Sequence, residues 1–261
     1  MNPVRPKICI LRSDGTNCDV ELAYAFEKAG GKSEFVHVNE LRNREIRLSN
    51  FQAIALPGGF SYGDDIASGK ILAVEMISFL KEELEKFKDK GRLIIGICNG
   101  FQTLVRTGLL PFGNMGKMDA TLAPNDNGHF ECRWVRLKSE KDNNCKFLQR
   151  MDSKGWFSIN HGEGKLFASD EVIKKMEDQN LVVFRYVDQK GIPTQKYPDN
   201  PNGSINAIAG VCDSTGLIFG MMPHPEKFVD LTQYPNWRRE KIEKPHGLPF
   251  FEGIVNFLKE A

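Results

Sequence analysis

A three-layer α/β fold is what this sequence predicts, its sheet mostly parallel in the first half and extended by antiparallel strands in the second. Three observations carry the prediction. Four short apolar runs, at residues 8–11, 35–38, 51–56 and 93–97, are separated by helical or loop crossovers, as in a parallel sheet covered on both faces. The fourth run passes at once into helical spacing at Phe101, Leu104 and Val105. Beyond Gly108 the pattern changes to short strands and turns, which favours antiparallel pairing.

Residues 8–11 form the first strand, and the loop 12–19 after it is rich in turn and N-cap residues. Leu22, Ala23, Phe26 and Ala29 follow at helical spacing until Gly30 and Gly31 stop them. The third run ends in Pro57-Gly58-Gly59-Phe60-Ser61-Tyr62-Gly63-Asp64. One long amphipathic helix is expected next, with Ile71, Leu72, Val74, Ile77, Leu80, Leu84 and Phe87 on its apolar side. Residues 111–128, rich in glycine, asparagine and methionine, read as a long connection. Phe130, Cys132 and Trp134 alternate with Glu131, Arg133 and Val135, the pattern of a half-buried strand. Strands are expected at 156–159 and 181–187, with a short helix near 171–176 between them, and 190–204 is dense in turns. Residues 207–211 and 217–221 flank Asp213-Ser214-Thr215-Gly216 as a hairpin, and 250–258 form a closing helix. With no internal repeat, residues 1–261 read as one domain.

The stretch that organises the chain is Gly96-Ile97-Cys98-Asn99-Gly100. A strand turning sharply into a helix with a nucleophile at the turn is a nucleophile elbow, here with cysteine in place of serine. Glycines two residues to either side remove side chains that would collide with the strained turn. The helix N-terminus is expected to favour thiolate over thiol at Cys98. The pattern alone leaves a second reading open, a buried structural cysteine at a strand end. His224 and Glu226 lie in Met222-Pro223-His224-Pro225-Glu226, directly after a predicted strand. Side chains two apart on an extended segment point the same way, so the pair offers a base and the group that orients it. Taken alone, this pair is more simply a surface turn with a solvated glutamate.

Pro57-Gly58-Gly59 either exposes backbone N–H groups to a ligand, as an oxyanion hole requires, or is only a tight turn. Phosphate binding fits less well, because neither G-x-G-x-x-G nor a Walker lysine pattern is present. His161 and Glu163 make a rival acid–base pair, whereas His37, His129 and His246 have no companions at metal-ligand spacing. Asp64 and Asp65 are adjacent, so on an extended chain their side chains diverge.

Composition removes several functions. Lys plus Arg number 35 against 34 Asp plus Glu, a net charge of +1, so nothing recruits nucleic acid or anionic lipid. The six cysteines show no CxxC spacing, which argues against a zinc ribbon and a secreted disulfide framework. No apolar run approaches the ~20 residues of a membrane span, and residues 1–7 hold no signal-peptide core. The expected location is the cytoplasm.

Gly96-Ile97-Cys98-Asn99-Gly100-Phe101-Gln102, the Pro57–Asp64 motif and Met222-Pro223-His224-Pro225-Glu226 together resemble class I (triad) glutamine amidotransferases. Gly15-Thr16-Asn17-Cys18-Asp19, His161-Gly162-Glu163-Gly164 and Asn200-Pro201-Asn202-Gly203-Ser204 narrow the likeness. It is to the glutaminase subunits of phosphoribosylformylglycinamidine synthases, a family of purine biosynthesis. The resemblance runs over most of the chain, with the motifs in the same order. It implies that Cys98 attacks the amide carbon of L-glutamine while His224, oriented by Glu226, moves the protons. It also implies an oxyanion hole from the N–H groups of Asn99 and Gly59, with Gly58 beside them. Gln102 and the backbone around Asn160, His161 and Gly162 would hold the substrate's amino-acid end. The family's partners are a large synthetase subunit, which uses ATP, and in many bacteria a small third subunit. ATP and magnesium then belong to the synthetase, and this chain needs no cofactor or metal of its own. Ser13-Asp14 and residues 65–68 depart from the family's usual loops, and 230–249 is an insertion-like segment. Two other readings are a cysteine hydrolase or redox protein on the same flavodoxin-like scaffold, and a non-catalytic assembly subunit. Asn99 directly after Cys98 counts against the first, and the complete Cys98, His224 and Glu226 set against the second.

Overall fold

The computed structural model describes residues 5–148 and 154–260. Residues 1–4, part of the stretch from which the absence of a leader is read, lie outside the described residues. The four predicted apolar runs form β1 (Lys7–Arg12), β2 (Lys32–His37), β3 (Ala53–Leu56) and β4 (Leu93–Ile97). Every residue of β3 and β4 is buried, as strands covered on both faces require. β1 pairs in parallel with β2 and β3, and β3 with β4. A fifth parallel strand, β11 (Ile218–Met221), arrives from late in the chain and lies beside β4, with Ile97 opposite Met221.

The remainder of the main sheet is antiparallel. It is built from β10 (Ile208–Cys212), β9 (Val182–Tyr186), β6 (Glu131–Ser139) and β7 (Lys154–His161). The strand order is β2-β1-β3-β4-β11-β10-β9-β6-β7. The predicted hairpin forms between β10 and β11. The chain steps outward from β1 to β2, then crosses back through β3 to β4. Right-handed crossovers in opposite directions place the connecting helices on opposite faces. α1 (Asp19–Lys28) packs against α7 (Leu248–Glu260), and α3 (Lys70–Phe79) packs against α5 (Asn99–Thr107); the short α2 (Val38–Arg42) follows β2, and α6 (Asp170–Asp178) precedes β9. The reversal between β1 and β3 opens a crevice at the carboxyl ends of the strands, where ligands bind in such sheets. No helix among the described residues is long and apolar enough to cross a membrane.

Three local expectations change. The single long helix is two, α3 and α4 (Lys81–Asp89), because Leu80 leaves helical geometry at φ −114°, ψ 0°. The break lets Leu72, Ala73 and Met76 of α3, Leu80 itself, and Leu84 and Phe87 of α4 all reach the core, while Val74 stays exposed. The connection 111–128 contains β5 (Ala120–Pro124), paired with β8 (Glu163–Ala168) as a second, two-stranded sheet. Only Ala120 and Leu122 of β5 are buried, too short an alternation to stand out. In β6 the buried parity is Glu131, Val135, Leu137 and Ser139, not Phe130 and Cys132, which are exposed. Trp134 is half-buried on the other face because Phe228 and Tyr234 pack edge-on against it.

Candidate active site

Cys98 sits where β4 ends and α5 begins, at φ 53° and ψ −106°. This left-handed conformation is costly for any residue with a side chain. The flanking glycines do the steric work expected of them. A Cβ on Gly100 would lie 2.1 Å from the Leu56 carbonyl oxygen, and one on Gly96 would lie 2.6 Å from the Gly100 carbonyl. β11 ends beside β4, so the residues that follow it emerge at the same edge. The His224 N–H donates to the Ser158 carbonyl of β7 at 2.9 Å, which fixes the backbone before the imidazole. Residues Pro225–Phe228 then form a 3-10 turn rather than the extended segment expected, with proline at its start. The turn still brings Glu226 Oε1 to 2.5 Å from His224 Nδ1, with both side chains almost wholly buried.

With Nδ1–H donating to the carboxylate, Nε2 is left as the acceptor. That atom is buried and has no hydrogen-bond partner among the described residues. It belongs to the ring that meets Cys98 across Gly58. A Cβ on Gly58 would lie 2.6 Å from His224 Cε1, 3.4 Å from Cys98 Cβ and 3.4 Å from Cys18 Sγ. Only glycine leaves room for the two groups to approach from the loop side. The Cys98 thiol itself donates to the Asn160 carbonyl at 3.5 Å.

Burial works against the expected thiolate. The Asn99 N–H lowers the Cys98 pKa, as a helix N-terminus should, but burial and the nearby Cys18 and Glu226 outweigh it and push the thiol up. Such a sulfur needs a base, and His224 Nε2 is chemically suited to be one.

The loops after β1 and β3 are tied together beside this site. Phe60 N–H donates to the Gly15 carbonyl at 3.0 Å and Cys18 N–H to the Gly58 carbonyl at 3.2 Å. Gly59 lies between them at φ 139°, and its own N–H has no protein partner among the described residues. Asn99 N–H, at the head of α5, faces the Cys98 thiol, and Gly59 follows directly on the Gly58 that packs against Cys98 Cβ.

The other candidates divide. Gln102 is buried, with its Oε1 accepting from Asn99 Nδ2 at 3.1 Å and its amide nitrogen donating to the Glu163 carbonyl. Its side chain therefore joins α5 to β8. Asn160 presents its carbonyl to Cys98 and its side-chain oxygen to the Cys132 thiol. The Gly162 carbonyl accepts from Asn125 N–H at 2.9 Å.

The rival pair does not form. His161 Nδ1 faces Asn125 Oδ1 at 3.1 Å and its Nε2 faces Asn202 at 3.5 Å, while Glu163 pairs with Arg106 at 3.2 Å. Burial, with the neighbouring His224 adding to it, pushes the His161 pKa down to about 3 and keeps the ring neutral.

Sequence reasoning did not single out Cys18, Asn125, Asn202 or Lys227 for this site. Cys18 and Asn202 stood inside motifs, but nothing local says that they face Cys98 and His161. Cys18, His224 and Glu226 bring donor atoms within 4.8 Å of one another, a set that could hold a divalent cation. Part of the set is already engaged, although His224 Nε2 and Glu226 Oε2 have no partner among the described residues. The carboxylate is engaged by the imidazole, and the Lys227 ammonium supplies positive charge at Cys18.

Residues 5–258 match the CobB/CobQ-like glutamine amidotransferase domain. The phosphoribosylformylglycinamidine synthase subunit PurQ of Dehalococcoides mccartyi is 46% identical over 256 residues, covering 98% of each chain. The PurQ subunit of a Methanococcus maripaludis strain is 39% identical over 268 residues, covering 100% of this chain and 98% of its own. Among solved structures, PurLQS from Thermotoga maritima contains a chain 31% identical with a TM-score of 0.75, covering 98% of this chain and all of that one. A further glutamine amidotransferase of Thermotoga maritima, 16% identical over 99% of this chain and 100% of its own with a TM-score of 0.57, shares the fold. The chain belongs to the CobB/CobQ-like glutamine amidotransferase family, on the branch of the phosphoribosylformylglycinamidine synthase PurQ subunits.

Proposed function

We propose that this chain is the glutaminase subunit of a phosphoribosylformylglycinamidine synthase and that Cys98, His224 and Glu226 are its catalytic triad. The observation that carries the reading is the shared contact at Gly58, where the elbow cysteine and a histidine with an unpartnered, buried Nε2 approach the same point. The sulfur turns from the Asn160 carbonyl toward Nε2, gives up its proton there, and attacks the side-chain amide carbon of L-glutamine. The Gly59 and Asn99 N–H groups receive the oxyanion. The imidazolium, charge-stabilised by Glu226, passes the proton to the departing ammonia. Nε2 then takes a proton from water, which attacks the thioester, and returning that proton to sulfur releases glutamate. No step calls for a metal or cofactor in this chain. Asn160, His161 and Gly162 line the substrate's amino-acid end through their backbone, and Gln102 supports that wall.

The PurQ relatives and the PurLQS neighbour support a large synthetase partner and a small third subunit. The synthetase would bind ATP and magnesium and use the ammonia on formylglycinamide ribonucleotide. On this reading the chain works in the cytoplasm. In the reconstituted complex, Cys98→Ala is expected to abolish glutamine-dependent synthesis, since loss of a triad nucleophile costs orders of magnitude. Synthesis from added ammonium salt should survive. Glutamine-dependent synthesis undiminished in Cys98→Ala would rule the assignment out.

A further inference from the structure

We propose that Asp64 is a positioning residue, which sets the spacing of the two oxyanion donors by clamping the Asn99 side chain. The inference rests on the reading of Cys98, Gly59 and Asn99 given above. Those donors belong to different elements, Gly59 to the loop after β3 and Asn99 to the first turn of α5. The buried Asn99 side chain bridges the two. Its Oδ1 accepts from the Ser61 N–H at 3.3 Å, and its Nδ2 donates to Asp64 Oδ1 at 2.9 Å and Gln102 Oε1 at 3.1 Å. Asp64 is held in turn by Ser68, whose hydroxyl donates to the second carboxylate oxygen at 2.9 Å. The far end of the loop is bolted to the same helix, because Arg106 Nε donates to the Ser68 carbonyl at 2.7 Å.

The loop keeps two short backbone bonds of its own, from Gly63 N–H to the Phe60 carbonyl at 2.8 Å and from Asp65 N–H to the Tyr62 carbonyl at 3.3 Å, yet its backbone is strained. Tyr62, Asp64 and Ile66 have φ values of 53°, 56° and 71°. For a β-branched residue such a value is a genuine outlier, and Ile66 is 88% exposed, so burial does not offset its strain. Strain of this kind persists where surrounding contacts over-determine it, and such sites are commonly functional. Here Tyr62 is held by Asp14 and Glu75, while the contacts of Ser61 and Asp64 meet at Asn99, the residue next to the nucleophile.

The test uses the chain assembled with its synthetase partner. Asp64→Ala should lower kcat for glutamine hydrolysis by roughly 10- to 100-fold, the scale of a misplaced oxyanion donor, and leave KM within about two-fold. Affinity for glutamate γ-semialdehyde, whose thiol adduct places an oxyanion in the hole, should fall by the same factor. L-Glutamine binding in a Cys98→Ala background should not change. Asp64→Asn keeps an acceptor for Asn99 and a group for Ser68, and should recover most of the loss. Asn99→Ala retains the backbone donor but removes the clamp, so the double variant should lose no more than either single one. An Asp64→Ala complex with unchanged kcat, a loss confined to KM, or additive losses in the double variant would overturn the proposal while Cys98→Ala remained inactive. A hydrolytically active Cys98→Ala complex would place the failure in the underlying triad.

Discussion

His161 shows how burial decides what a residue can do. In the sequence it stands two positions from Glu163 and looks like an acid–base partner. In the fold its ring nitrogens are taken by Asn125 and Asn202, and burial lowers its pKa from 6.5 to about 3. The unfolded chain therefore binds a proton between those values that the folded chain refuses. Stability should rise with pH across that window and fall as pH drops through it, with a slope of at most about 1.4 kcal/mol per unit. Urea unfolding between pH 4 and 7 should show His161→Gln losing about one proton's worth of that slope relative to the parent; parallel curves would refute a neutral, buried ring. The cysteines give a second check. Cys132 is exposed, whereas Cys98 is buried with its thiol pushed up by burial. Brief iodoacetamide treatment of the isolated chain near neutral pH should modify Cys132 before Cys98, as read by peptide mass mapping. Prior modification of Cys98 would mean that the helix N-terminus had won after all. Cys98, His224 and Glu226 were legible in the sequence because adjacent residues shape each of them. Cys18 and Asn125 were not, because only the packing of distant loops brings them to the site.

At the scale of elements, close backbone approach was legible and irregularity was not. Gly96 and Gly100 read as clearing side chains from the turn at Cys98, and the 2.1 Å that a Gly100 Cβ would leave to the Leu56 oxygen bears this out. Gly100→Ala must push α5 off β3. It should cost at least the roughly 1–3 kcal/mol typical of an overpacked core, measured as a lower urea midpoint. Gly162→Ala is the control, since its nearest neighbour would be Phe130 Cδ2 at 3.8 Å, and it should stay within about 0.5 kcal/mol. A Gly100→Ala chain as stable as the parent would show that α5 is less tightly seated than the contacts require. The break at Leu80 escaped the sequence reading because the apolar positions before and after it continue one helical stripe. β6 misled for the opposite reason. Its outer face carries Trp134, made apolar by a segment that covers it about a hundred residues later.

That covering segment matters for the molecule as a whole. The parallel half of the sheet was foreseeable from its crossovers, and it explains why Cys98 and His224 meet, since β4 and β11 are parallel neighbours that end at one edge. The antiparallel half needs a cover on β6 and β7, and part of it comes from the insertion-like segment 230–249. Tyr234, 3% exposed, packs on Trp134 at 5.2 Å, Phe228 at 5.5 Å and Trp156 at 5.9 Å. Phe228 closes the 3-10 turn that begins after His224 and carries Glu226, and β7 supplies the carbonyl that fixes the His224 backbone. The cluster therefore supports the imidazole from behind. Tyr234→Ala should cost roughly 3–5 kcal/mol, as for other buried aromatic truncations, and should lower kcat in the assembled complex along with stability. Tyr234→Phe loses the hydroxyl's contacts with Glu240 and Asn236, worth about 1 kcal/mol, and should keep kcat. Trp237 is 42% exposed and, among the described residues, its ring makes no contact with the cluster, which it meets only through its backbone N–H to the Tyr234 carbonyl, so Trp237→Ala should leave both quantities nearly unchanged. Thermal midpoints and glutamine hydrolysis rates for the three variants test the link. A Tyr234→Ala chain that loses stability but keeps full kcat would reduce the segment to a cover for the sheet, with no part in holding His224.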